Sequence, residues 1–153
     1  MSATDAAGEG LPAPMGWRRL VGRGPGVLVD CCRATWELAL ANRRFYRLEP
    51  GELVSVARGA RASSNAHAGD ARLVERVAFA VPGMARRLPW RADCMVQAMA
   101  AQRWLDRAGV ATTLTIGVKI DAPEGFGAHA WLMAGEKVVT GGDITSYVPL
   151  NLE

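Results

Sequence analysis

The chain has 153 residues, 50% of them apolar, which is enough for one hydrophobic core and too little for two full-sized domains. Its net charge of +3 comes almost wholly from arginine, Lys119 and Lys137 being the only lysines, and with no finger spacing, aromatic-interleaved basic strand or dense basic run no nucleic-acid partner is expected. No stretch reaches the roughly 20 apolar residues of a membrane span and residues 1–16 lack the apolar middle of a secretion signal, so a cytoplasmic protein away from the membrane is expected, its three cysteines kept as reduced thiols.

Residues 1–16 are rich in Ala, Gly and Pro with little to bury, and are expected to form a disordered tail. Gly22 to Gly26 is glycine-rich but lacks the lysine and hydroxyl residue of a phosphate loop, and reads as a turn before a helix. From Val27 a stripe runs through Cys31, Ala34, Leu38, Ala41, Phe45 and Leu48 in steps of four and three, one buried helix face, ended by Pro50 and Gly51. Cys31 on that stripe and Cys32 beside it fit packing, since no pair of cysteines has zinc-ligand spacing. Trp36, Phe45 and Tyr46 fit either the core or a docking surface, and helical spacing favours the core. Much of Ala57 to Asp70 reads as a loop, His67 being a loop residue within it.

A second helix places Leu73, Val77, Ala80, Met84 and Leu88 on one face, with Pro82 and Gly83 expected to kink or split it and Pro89 to stop it. A third runs from near Asp93 to Gly109, a residue suited to a left-handed cap. Beyond it the period falls to two. Leu114, Ile116 and Val118 alternate with Thr113, Thr115 and Gly117, and two more strands, 128–134 and 137–140, flank a short connection at Gly135 and Glu136. Helices followed by an antiparallel meander define an α+β class. The expected organisation is a tail over 1–16, a helical segment and loop over 17–69, and a catalytic core over 70–153.

Cys94 falls in the first turn of the third helix, where unpaired amides and the helix dipole stabilise a thiolate. A lone cysteine is more often an inert buried residue, but His129 shifts the balance. It lies within a strand between Ala128 and Ala130, and a cysteine at a helix start with a histidine on a following strand is a recurrent nucleophile–base layout. The third member should be a carboxylate or amide that fixes the imidazole tautomer. Asp143 is chosen over Asp121 and Glu136, which read as solvated loop or turn residues. A three-residue loop at Gly135 to Lys137 sets His129 opposite Asp143. A two-residue loop sets it opposite Gly142, in which case Gly141 and Gly142 supply the bulge that turns Asp143 back.

The run Leu88-Pro89-Trp90-Arg91-Ala92-Asp93-Cys94, the helix through Trp104-Leu105-Asp106-Arg107-Ala108-Gly109, then Leu114-Thr115-Ile116-Gly117-Val118 and Ala128-His129-Ala130-Trp131 together resemble the lasso peptide B proteins. These are the leader peptidases of lasso peptide biosynthesis, with a transglutaminase-like fold akin to papain-like peptidases. The likeness is specific over residues 70–150 and general in character from about residue 17. It implies that Cys94, His129 and Asp143 are the catalytic cysteine, histidine and aspartate, the aspartate by position more than by surrounding motif, and that no cofactor or metal takes part. Nothing before Trp17 reads as the small β-rich domain that grips the leader in the fused form. The resemblance therefore implies the separate peptidase half of a split system, whose partners are a precursor peptide, a separate leader-recognition protein and a lasso cyclase that uses the freed amine.

In that reading the Cys94 thiolate attacks at the leader–core junction, His129 protonates the departing amine, and water releases the leader from a thioester. The Cys94 backbone N–H is the first oxyanion donor; the second is unnamed, and Trp90 fits a core or a substrate-packing role equally. Acyl transfer to an amine by the same triad, as in transglutaminases, and a non-catalytic precursor-binding module are the competing readings.

Overall fold

A computed structural model describes residues 24–48, 52, 70–119 and 127–150. The expected tail, the loop over 57–69 with His67, and the rival Asp121 lie outside the described residues. Three helices, α1 (Pro25–Phe45), α2 (Asp70–Ala85) and α3 (Cys94–Asp106), precede four strands: β1 (Thr113–Lys119), β2 (Gly127–Ala134), β3 (Lys137–Thr140) and β4 (Val148–Pro149). The architecture is α+β, a helical layer on an antiparallel sheet of order β3-β2-β1-β4.

Gly24, at φ 97, sits at the N-cap of α1, and Pro25 opens the helix, where its missing N–H costs nothing. The expected stripe is the buried one: Cys31, Ala34, Leu38 and Ala41 are in the core, and Val27, Phe45 and Leu48 pack against it. Two acids share that burial. Asp30 and Glu37 are 6% and 1% exposed, and each is met by arginine from a neighbouring helix: Asp30 by Arg76 of α2, Glu37 by Arg103 of α3 and by Arg107 just after it. Trp36 and Tyr46, in contrast, are 62% and 70% exposed, so the spacing argument that favoured the core for them is overturned. Each lies one position off the buried stripe, next to Glu37 and Phe45.

α2 is not split at Pro82, which lies inside the helix. The proline falls in the last turn, where only one ladder bond is lost, and Arg86 N–H still reaches Pro82 O. α3 ends as expected, with Gly109 at φ 74 and Val110 N–H returning to Leu105 O at 3.0 Å, a left-handed cap that satisfies a terminal carbonyl.

β2 is the centre of the site. It pairs with β1 in regular register, Gly117 opposite His129 and Thr115 opposite Trp131. Its hairpin with β3 begins on a two-residue loop, Ala134 opposite Lys137, with Gly135 at φ 58 as such a turn needs. The pairing then slips by one between Leu132 and Met133, so that Leu132 faces Thr140. A bulge at Val139 thereby returns the chain to the register that a three-residue loop would set. The edge strand β4, two residues carrying a proline, escapes the sequence pattern. It pairs Val148 with Val118 and Pro149 with Gly117.

α3 packs on β2 and β3, α2 on β3, and α1 on both other helices. Leu114, Leu132, Ala134 and Val139 bring one face of the sheet into the helical core. Side chains alternate along a strand, so His129 and Trp131 leave β2 on the face opposite Leu132. Trp131, although 3% exposed, is accordingly not among the residues of that core.

Candidate active site

Asp93 caps α3 with an extended backbone (ψ 172) and no side-chain bond to the first turn; its carboxylate makes an exposed ion pair with Arg91 at 3.4 Å. No acid lies in that first turn either, so among the described residues no carboxylate of the cap or first turn takes up the amides of the α3 N-terminus, which can stabilise negative charge. Cys94 is the first helical residue, a free and half-buried thiol. The turn that presents it is held from within the helix, where Gln97 donates its backbone N–H to Asp93 O at 3.0 Å and its Nε2 to Ala92 O at 2.7 Å. Four residues before Cys94, the indole N–H of Trp90 is buried with no hydrogen-bond partner among the described residues.

His129 is half-buried and its Nε2 lies 2.7 Å from Gly141 O. A carbonyl only accepts, so in the neutral ring Nε2 carries the hydrogen and Nδ1 is the free base. The ring is also held by aromatic neighbours: the tilted Tyr147 ring is 4.8 Å away at 33°, and the Trp131 ring stacks 6.3 Å away at 29°. Two glycines make this possible. A Cβ on Gly141, at φ 113, would lie 2.4 Å from Trp131 Cβ, and one on Gly117 would lie 2.6 Å from the Trp131 ring and 2.8 Å from Val148 O. Gly117 thus leaves room for the indole, and Gly141 brings its carbonyl to the imidazole.

Asp143 follows two residues later, exposed. Its Oδ1 accepts the Thr145 N–H at 3.0 Å and the Thr145 hydroxyl at 2.7 Å. These two donors, with a smaller part from the charge of Lys119, hold the carboxyl below the usual carboxylate range. Among the described residues no hydrogen bond joins Asp143 to His129, and none joins Cys94 to His129. The helix opened by Cys94 packs on the strand carrying His129, but on the Leu132 face of that strand and not on the face that His129 leaves; what the fold brings together is the imidazole and the Gly141 carbonyl. The rival Glu136 is exposed in the hairpin turn.

Sequence reasoning missed three contributors: the Gly141 carbonyl, Tyr147 and Gly117. The last had a signal, since a glycine inside a strand marks a close approach. Among the described residues no group of three or more His, Cys, Asp or Glu could hold a metal ion, and no helix is long and apolar enough to cross a membrane.

Three helices layered on a small antiparallel sheet, a cysteine opening one helix and a histidine on the central strand, define an α+β protein with a transglutaminase-like core. Residues 35–151 match the transglutaminase-like superfamily, and the chain belongs to that family. The superfamily includes cysteine peptidases and acyl transferases and is usually catalytic. Neither the curated proteins nor the solved structures give a match to this chain.

Proposed function

We propose that the chain is a cysteine peptidase with Cys94 as nucleophile, His129 as acid/base and Asp143 as a positioning residue. Nδ1 of His129 takes the thiol proton, the thiolate adds to the peptide carbonyl, and the imidazolium protonates the amine as the C–N bond breaks. Water, deprotonated by the same ring, then cleaves the thioester and regenerates the thiol. The backbone N–H of Cys94 and the partnerless N–H of Trp90 are the donors assigned to the oxyanion. The observation that carries this reading is the bond from His129 to Gly141 O, which leaves the other ring nitrogen free to act as base. Asp143 acts through the backbone, its Thr145 bonds holding the segment that follows the Gly141 carbonyl.

The substrate in this proposal is a lasso peptide precursor, from which the enzyme removes the leader in the cytoplasm and frees the core amine for a separate cyclase. A separate recognition protein delivers the precursor. The Leu88-to-Cys94 run and the Ala128-His129-Ala130-Trp131 strand support this assignment, within a family that includes cysteine peptidases. Sulfur and imidazole share no hydrogen bond, and His129 leaves β2 on the face opposite the one that meets the helical core, so the reading requires the N-terminus of α3 and the start of β2 to shift until the two groups meet when peptide binds.

Incubation with precursor and recognition partner, analysed by mass, should show leader release that Cys94→Ala and His129→Ala abolish. Undiminished release by Cys94→Ala would end the proposal. The same missing bond favours one second reading, a non-catalytic module that holds the precursor, which no release from the wild-type chain would support. Product mass also separates hydrolysis from transfer of the acyl group to an amine.

A further inference from the structure

Away from the N-terminus of α3, a cavity of about 180 Å³ opens between α1 and α3. Leu40, Ala41 and Met99 give it apolar walls, and Arg44, Arg103 and Arg107 give it cationic ones. The basic side chains have different standing. Arg103 and Arg107 are fastened by Glu37, which is one turn before Ala41 and has a side chain only 1% exposed: Arg103 Nε lies 3.0 Å from Oε2, and Arg107 Nη1 lies 3.4 Å from Oε1. The first contact is an ion pair without hydrogen-bond alignment, since both of its atoms are buried with no hydrogen-bond partner among the described residues.

One carboxylate therefore holds two guanidiniums whose side chains are still 38% and 54% exposed. Each guanidinium has five N–H donors, so donors remain for a second acceptor. Arg44 is exposed, and its guanidinium has no ion pair or hydrogen bond among the described residues. Among the described residues Asp106 is the one acid in the lining, with the neutral Gln102.

We propose that this cleft binds an extended peptide segment in which an acidic side chain neighbours an apolar one. The carboxylate meets the guanidiniums while the apolar side chain enters between Leu40 and Met99; the volume suits one or two side chains. Trp36, four residues before Leu40 and 62% exposed, continues the same helix face and offers further apolar surface. Arg103 and Arg107 are nine and thirteen positions beyond Cys94, or about 13–20 Å along a helix rising 1.5 Å per residue. An extended peptide covers that in about four to six residues, so the cleft is an exosite for the substrate. That last identification rests on the peptidase reading; the binding itself does not.

Fluorescence anisotropy with a fluorescein-labelled Gly-Gly-Leu-Glu-Leu-Glu-Gly-Gly peptide, against its Gln-for-Glu isostere, tests the site without any turnover. The acidic peptide should bind wild-type protein roughly fivefold or more tighter than the isostere, in a salt-dependent way. Arg44→Glu and Leu40→Glu should each remove that preference, and Arg44→Lys should keep most of it, with unchanged circular dichroism. Equal binding of the two peptides, an Arg44→Glu protein that binds as wild type does, or displacement by inorganic phosphate as effective as by unlabelled peptide would overturn the proposal. None of these results bears on whether Cys94 cleaves a precursor.

Discussion

The imidazole of His129 donates from Nε2 to the carbonyl oxygen of Gly141 at 2.7 Å, the position in which a cysteine–histidine–aspartate triad would place a carboxylate. Asp143 accepts instead from the amide and hydroxyl of Thr145. An asparagine at 143 keeps an oxygen able to accept both Thr145 donors, whereas alanine keeps none and an acid needed for its charge beside the ring tolerates neither change. Asp143→Asn is therefore expected to stay within about threefold of wild-type kcat, and Asp143→Ala to lose roughly tenfold, against a loss of about 100-fold or more for His129→Ala. A collapse of Asp143→Asn to the level of His129→Ala, measured on precursor cleavage, would show direct carboxylate orientation in the substrate complex.

Gly117 is where β1 lets the Trp131 ring close on the sheet. A methyl there meets the Trp131 ring at 2.6 Å and the Val148 backbone oxygen at 2.8 Å, so the indole and the β4 edge must both move. Gly117→Ala should lower stability by about 1–3 kcal/mol in chemical denaturation. Gly127→Ala is the control on the neighbouring strand, since nothing among the described residues lies within 4 Å of its Cβ position, and it should be near neutral. Equal midpoints for the two variants would refute the close packing of Trp131 on β1.

The three thiols should separate by reactivity. Burial pushes the Cys31 thiol up, with Arg87 opposing in part, so it stays protonated and inert at neutral pH. Cys32 is exposed and Cys94 half-buried at a helix start. Peptide mapping after brief iodoacetamide treatment at neutral pH should find Cys94 and Cys32 alkylated and Cys31 intact. The same shift predicts an alkaline loss of stability. The unfolded thiol ionises in its ordinary range while the folded one keeps its proton, so stability falls as pH rises through that window. Cys31→Ala should remove this part of the slope.

Glu37 ties α1 to α3 from a side chain 1% exposed. Glu37→Gln leaves Arg103 and Arg107 without their counter-charge, but both are partly solvated, so the cost falls below that of breaking a fully buried pair. About 1–2 kcal/mol is expected in denaturant unfolding, greater than for Lys137→Gln, which breaks only the exposed pair with Glu75. A Glu37→Gln protein as stable as wild type would mean that the pair contributes nothing net.

What the sequence determined is the part governed by local periodicity and backbone preference. Steps of three and four laid out α1 through Cys31, Ala34, Leu38 and Ala41. Gly109 marked the end of α3, alternation marked β1, and the short connection at Gly135 and Glu136 marked β2 and β3 on either side of it. Those signals also put Cys94 at a helix start and His129 in a strand, because each depends on neighbours in the chain. The bulge at Val139 and the two-residue edge strand β4 are set by contacts between segments that leave little local pattern. So are the burial of Glu37 between two arginines and the exposure of Trp36. The partner of His129 belongs to the same group. A backbone carbonyl has no sequence signature, and which oxygen reaches the imidazole was decided only when the slip in β3 and the left-handed turn at Gly141 brought that peptide across to β2.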